Sequence, residues 1–368
     1  MSLLSKTYFG RRVLITGHTG FKGGWLSMWM IGLGAHVCGF SNGIPTSPSL
    51  FESAELATHL RHEVGDIRDH EKLDKLVHDF RPDFIFHLAA QAIVSASYKE
   101  PLETIGVNMM GTATLLDVLR TVDWPCAAVF ITSDKAYENV EWPWGYRETD
   151  RMGGKDVYSG SKGAAELVFQ SYFHSFFLNS GSPVVMATAR AGNVIGGGDW
   201  AADRIVADCV RAWHCGKVVD IRSPKATRPW QHVLEPLSGY MLLGARLQMD
   251  TSLNGESFNF GPRAEQNATV LELLSSLAEI WGFSSASQSY RITGDSPFYE
   301  ASLLKLNIDK ALLKLSWTPN LSYQECMLYT GEWYRDVVKE NAPAIEVTRA
   351  HIVNFETAAT KRGRIWAQ

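Results

Sequence analysis

Residues 12–23 read RVLITGHTGFKG: an aliphatic run, Val13 to Thr16, ending in a turn with glycine at 17, 20 and 23. Such a run suits a buried strand. The glycines let backbone amides approach a pyrophosphate at the positive end of the helix that follows. Gly17, Thr19, Gly20, Phe21, Lys22 and Gly23 are therefore the expected cofactor-binding turn, and His18 and Lys22 are candidate cationic contacts to phosphate. The next helix, from about Gly23, carries Trp25, Leu26, Met28, Trp29, Met30 and Leu33 on almost every side, which predicts burial against a sheet. Gly34 is its expected stop.

Outward from this turn, short aliphatic runs alternate with helical patterns. Ala35–Phe40, Arg61–Val64, Pro82–Leu88, Ala127–Thr132 and Val184–Ala189 read as further strands. Helices are expected over 69–80, 101–119 and 158–177, with a long loop at 138–157. The alternation predicts an α/β fold, a doubly wound parallel sheet of the Rossmann type, with a smaller C-terminal substrate domain. Residues 1–190 are expected to form the dinucleotide-binding domain and to carry the catalytic residues. Residues 191–368 are expected to be mainly the substrate domain, with some segments returning to the first. The last ~25 residues carry no decisive pattern.

The acidic residue that usually bonds the adenine ribose, about 20 positions after the turn, is absent from Val37 to Asn42. Ser41 or Asn42 is left for a ribose hydroxyl, and neither separates NAD from NADP by charge. Asp66 and Ile67, after the third strand, are candidates for the adenine. Leu88, Ala89 and Ala90, after the fourth, are candidates for a close wall beside the cofactor.

Composition narrows the functional classes. In 368 residues, 35 Lys and Arg against 39 Asp and Glu give a net charge of −4, so no global positive field favours nucleic acid or anionic lipid. A phosphate-bearing ligand then needs local cations, and Arg204 and Arg228 are candidates because guanidinium groups bind phosphate oxygens in pairs. Five cysteines, at 38, 126, 209, 215 and 326, lack paired metal spacing, which predicts no metal site and a reducing, cytoplasmic setting. The apolar stretch Trp25–Phe40 is interrupted and falls short of the ~20 residues a membrane span needs.

Tyr158 and Lys162 stand four apart at the start of a predicted helix and so share a face. An ammonium there favours the phenolate, so a lowered Tyr158 pKa is expected. Ser133, at the end of the fifth strand, can share the substrate's hydroxyl proton. Asp134 and Lys135 follow it directly.

TGHTGFKG, HLAAQ, NMMGT, ITSDKAY and YSGSK, in that order, make the chain similar to the extended short-chain dehydrogenase/reductase family from about Arg12 to about Pro319. Within that family it resembles the nucleotide-sugar 4,6-dehydratases. The Asp-Lys pair with EWPWGYRETDRMGG and GNVIGGGDWAADR looks like their CDP-glucose branch. The resemblance implies CDP-D-glucose as substrate and NAD as a recycled cofactor, with Ser133, Tyr158 and Lys162 serving hydride transfer at C4. It also implies Lys135 as base at C5, neutral when it acts, Asp134 as protonated acid at C6, and Asn193 near the substrate's phosphates. A homodimer or homotetramer is implied, built on the helix bearing Tyr158 and the one before it, where Leu167, Val168, Tyr172 and Phe176 offer an apolar face. Two rivals stay open: a nucleotide-sugar 4-epimerase or reductase, which needs no Asp134-Lys135 pair, and a non-catalytic dinucleotide sensor.

Overall fold

A computed structural model describes residues 1–293 and 303–368 of the chain. Its centre is a seven-stranded sheet of β1 (Arg12–Thr16), β2 (His36–Ser41), β3 (Arg61–Val64), β4 (Phe84–His87), β5 (Cys126–Ile131), β6 (Val184–Arg190) and β7 (Ser257–Asn259). The order is β7-β6-β5-β4-β1-β2-β3, and every pairing is parallel. The six strands expected from the sequence are all present.

The principal helices are α1 (Phe21–Gly32), α2 (His70–Phe80), α3 (Gly111–Leu119), α4 (Val157–Tyr172), α5 (Leu234–Leu247) and α6 (Ala344–Lys361). Strand residues alternate between two cores, as a pleated sheet covered on both faces requires. Val13, Ile15, Ala127, Val129 and Ile131 face one core with α1, α5 and α6. Leu14, Cys126, Ala128 and Phe130 face the other with α2, α3 and α4. Trp25 and Trp29 of α1 are buried on the first side, and their indole N–H groups donate to Gly197 O and Glu356 Oε1, both at 2.8 Å. Gly34, at φ +82°, ends the turn after α1.

Segments beyond residue 190 return to the sheet. β7 extends its edge beside β6, α5 packs across β5 and β6, and α6 lies on α1. α6 falls in the stretch that the sequence left unassigned. Its buried stripe is Ala344, Thr348, His351, Ile352, Phe355 and Ala359, and the two polar members, Thr348 and His351, mask the helical period. The 138–157 loop is pinned by bridges from Tyr137 to Met152 and from Tyr146 to Leu306. Among the described residues no helix is long and apolar enough to cross a membrane.

Strand order reverses between β1 and β4, and a doubly wound sheet binds its ligands in the crevice outside the carboxyl ends at such a point. The glycine turn after β1 and Leu88–Ala90 after β4 stand at that crevice.

Candidate active site

The turn after β1 is built for close approach. Gly17 has φ +75°, and a Cβ there would lie 2.7 Å from Ala89 N and 2.8 Å from Leu88 C. A Cβ at Gly23 would lie 2.7 Å from His18 Cα, so the turn also sits tightly on α1. Gly20 caps α1 with no side-chain hydrogen bond, leaving first-turn amides directed at the crevice. A dinucleotide pyrophosphate fits this cradle, held by backbone amides of the turn. Thr19 donates its hydroxyl to Gly43 O (2.6 Å), and Ala89 N donates to Thr16 Oγ1 (3.2 Å), which fixes Leu88, Ala89 and Ala90 against the turn.

His18 departs from expectation. It is fully buried; its Nδ1 lies 3.0 Å from Ser41 Oγ and its Nε2 2.7 Å from His62 Nδ1. Gly39 makes room for its ring. Burial, and then His62, push its pKa down to about 4, so His18 is a neutral packing group and not a cation for phosphate. Ser41 at the end of β2 is thereby committed to His18. Ile67 is buried against Gly111, and the Asp66 carboxylate is paired with Arg68 at 2.6 Å, which holds it below the usual carboxylate range.

Behind the crevice lie the acid/base candidates. Ser133 caps the single helical turn Asp134–Ala136: its Oγ accepts from Lys135 N (3.2 Å) and donates to Asp134 Oδ1 (3.0 Å). Asp134 is 5% exposed, and Lys135 beside it is half-buried. The loop after β6 closes on that carboxyl. Asn193 Nδ2 lies 3.4 Å from Asp134 Oδ2, and a side chain at Gly192 would overlap it. Asn193, expected at phosphates, thus reaches Asp134.

Asp156 caps α4, which presents Tyr158 and Lys162 on one face, with Lys162 Nζ 6.0 Å from the Tyr158 ring centre. The expected drop in the phenol pKa is not what the fold produces. Burial raises Tyr158, opposed by the Ser133 hydroxyl and the Arg204 charge. Lys162 itself is pushed down to about 7, by burial first and then by Lys22. Lys22 reaches past the glycine turn to within 6.0 Å of the Tyr240 ring. Burial lowers it to about 8, with Asp134 and Asp199 opposing and Arg204 adding to the drop. Arg204 is exposed at the mouth and donates to Ala92 O (3.4 Å). Arg228 is on a short strand, Thr227–Arg228, three residues before Gln231, whose amide holds Gly192 O at 2.9 Å.

Sequence reasoning missed the support beneath these groups. Glu166, one turn past Lys162 on the same face of α4, forms a buried two-pronged pair with Arg190 (2.8 and 3.0 Å). Arg190 Nη1 donates to the Tyr137 hydroxyl (2.6 Å), which in turn donates to Asn259 Oδ1 on β7 (2.8 Å). The 158, 162, 166 spacing was a visible signal for Glu166. Arg190, Tyr137 and Asn259 meet only through the sheet.

A family model described as GDP-mannose 4,6 dehydratase matches residues 14–329. The chain is 42% identical over 363 residues to CDP-glucose 4,6-dehydratase of Salmonella typhimurium, covering 98% of this chain and 100% of that protein. Among solved structures, the dTDP-glucose 4,6-dehydratase of Streptomyces venezuelae, determined with NAD bound, superposes with a TM-score of 0.74 at 21% identity, covering 88% of this chain and 97% of that one. The epimerase Mth375 of Methanothermobacter thermautotrophicus superposes at 0.77 with 22% identity, covering 92% and 97%. At such identities the two structures speak for the fold alone.

Proposed function

The chain belongs to the GDP-mannose 4,6-dehydratase family, and from that premise we propose that it is a nucleotide-sugar 4,6-dehydratase that converts CDP-D-glucose to CDP-4-keto-6-deoxy-D-glucose and water. The 42% relative and the Asp134-Lys135 turn favour the CDP-sugar reading. The glycine cradle at Gly17, Gly20 and Gly23 would hold NAD, which would supply a hydride acceptor for sugar C4 and a hydride donor for C6 with no net change in the cofactor. Residues 1–190 hold it, and residues 191–368 mainly hold the nucleotide sugar.

The chain's own groups handle protons. Tyr158 oxygen accepts the C4 hydroxyl proton, with the Ser133 hydroxyl and the Arg204 charge opposing the effect of burial on the phenol and Lys162 one turn along the same face. The ketone then acidifies the C5 hydrogen. Lys135 takes that proton while Asp134 gives one to the C6 oxygen, which leaves as water. Lys135 later returns its proton to C5, and the Tyr158 proton passes to Asp134 through Ser133 or solvent, so every group resets. Arg204 and Arg228 hold the sugar diphosphate, joined by the second N–H of the Asn193 amide, whose first meets Asp134.

The observation that carries this reading is the buried Asp134 carboxyl, gripped by Ser133 and Asn193 one residue from Lys135. An epimerase or reductase needs no such pair. Mass spectrometry of products from CDP-, dTDP- and GDP-hexoses tests it: one water should be lost from CDP-D-glucose, and deuterium placed at C4 should appear in the new methyl. A product of unchanged mass would point to the epimerase.

The assembly is proposed as a homodimer across α4 and the helices before it, with the homotetramer as the larger alternative. Leu102 is 82% and Leu167 60% exposed there, and Met110 and Phe176 are exposed too, large apolar side chains costly to leave in water. Val168 and Tyr172 pack inward. Five free thiols suit the cytoplasm.

A further inference from the structure

Resting on the dehydratase reading, we propose that Tyr137 is a positioning residue for the elimination step, holding the Asp134-Lys135 turn in register with the helix that carries Tyr158 and Lys162.

Three separate pieces of chain must hold a common geometry for the reaction to run through: α4 with Tyr158 and Lys162, the Asp134–Ala136 turn, and the Gly192-Asn193 loop. Arg190 links the three, in addition to the direct packing of the turn on α4. One side of its guanidinium grips Glu166 on α4 through Nε and Nη2. Its backbone leads directly into Gly192 and Asn193, against the Asp134 carboxyl. The remaining nitrogen, Nη1, donates to the Tyr137 hydroxyl at 2.6 Å and to Glu148 O at 3.2 Å. Tyr137 is the residue that ends the Asp134 turn, with its N–H on Asp134 O at 3.2 Å.

The Tyr137 hydroxyl is thus fully used, accepting from Arg190 and donating to Asn259. Its ring is 1% exposed, stacked on Tyr146 with centres 5.3 Å apart, and the Arg190 guanidinium lies 4.9 Å from its centre. Asn259 completes the clamp: its amide donates to Tyr146 O (2.9 Å) and Asn307 O (3.1 Å), and its N–H to Glu148 Oε1 (2.9 Å). Removing the hydroxyl frees the turn from Arg190 but leaves the Glu166–Arg190 pair, and with it α4, intact. The two halves of the reaction should therefore separate. Hydride removal at C4 depends on α4, whereas proton removal at C5 and proton delivery at C6 depend on the turn.

The test is Tyr137→Phe in the full chain loaded with NAD and CDP-D-glucose, with Tyr146→Phe as control. Tyr146 loses a hydroxyl of the same cluster, one bonded to Val140 N and Asn139 Oδ1 and not to Arg190. In single turnovers, Tyr137→Phe should form the reduced cofactor at the wild-type rate. It should exchange the C5 hydrogen with deuterated solvent about tenfold more slowly, the factor that the net worth of one hydrogen bond converts to, and KM should hold. Thermal unfolding of both variants separates lost stability from lost positioning. Equal slowing of C4 oxidation and C5 exchange, a raised KM with unchanged kcat, or the same partition in both variants overturns the role. So does a Tyr137→Phe protein that unfolds like Tyr146→Phe and reacts like wild type. If the wild type yields no 4-keto product from any nucleotide hexose, the dehydratase reading falls and this role with it.

Discussion

Lys135 and Tyr158 are separable by single substitutions because they act on different protons. Lys135→Met should leave NAD titration unchanged and lower formation of the 4-keto product by ~100-fold or more, the range for a lost general base. The same variant should still show reduced cofactor in a single turnover. Tyr158→Phe should instead slow that first oxidation by a comparable factor, read by the same absorbance change. These residues were legible because their signal is local: four residues along one helix, or three along one strand end. Their charge states were not. His18 is neutral and the Tyr158 phenol is raised because both are enclosed by elements distant in sequence: burial and His62 act together on His18, and burial outweighs the Ser133 hydroxyl and the Arg204 charge at Tyr158. The same holds for Tyr137, a residue inside a recognised motif whose partners, Arg190 and Asn259, lie 53 and 122 positions away.

At the level of elements, the glycines decide where backbone meets backbone. Gly17→Ala adds a Cβ 2.7 Å from Ala89 N at φ +75°, a conformation that costs a non-glycine residue ~1–2 kcal/mol even without the clash. NAD affinity should fall by roughly tenfold or more, since 1.4 kcal/mol is a factor of ten, and calorimetric titration would measure it. The exposed apolar side chains on α4 and the helices before it make a second expectation. Leu102→Glu with Leu167→Glu should shift sedimentation from dimer to monomer while leaving far-ultraviolet circular dichroism unchanged. Six strands and the glycine turn could be read from hydrophobic period, since four of the six strand runs lead to a distinct helical pattern. β7 could not: it is three residues long, Ser257–Asn259, and lies far along the chain from the β6 strand it pairs with.

Across the whole molecule, buried ionisable groups set a pH window for stability. His18 and His351 are pushed to about 4, and His87 to about 3, chiefly by burial. Each stays neutral in the fold but takes a proton near 6.5 when unfolded, so the stability they permit is complete above 6.5 and is lost as pH falls toward 4. At 1.36 kcal/mol per pH unit, His18 alone represents on the order of 3 kcal/mol. Glu235 on α5 runs the other way. Burial raises it to about 7, against hydrogen bonds from Asn320 N and Leu321 N at its carboxylate. Its contribution is full below the ordinary glutamate range and declines as pH rises through 7. Denaturant titrations from pH 4 to 8 should therefore show an acid limb, and Glu235→Gln, by removing an opposing slope, should steepen the rise in stability between about 4.5 and 6.5 and flatten any decline from there to 7. β7 bears on how the molecule is made. A ribosome that has delivered residues through 190 has released a sheet whose β6 margin carries bare amides and carbonyls, and these stay uncovered until residues 257–259 emerge. Translational pausing within that interval would prolong an adhesive nascent polypeptide, so chaperone demand during synthesis should peak there.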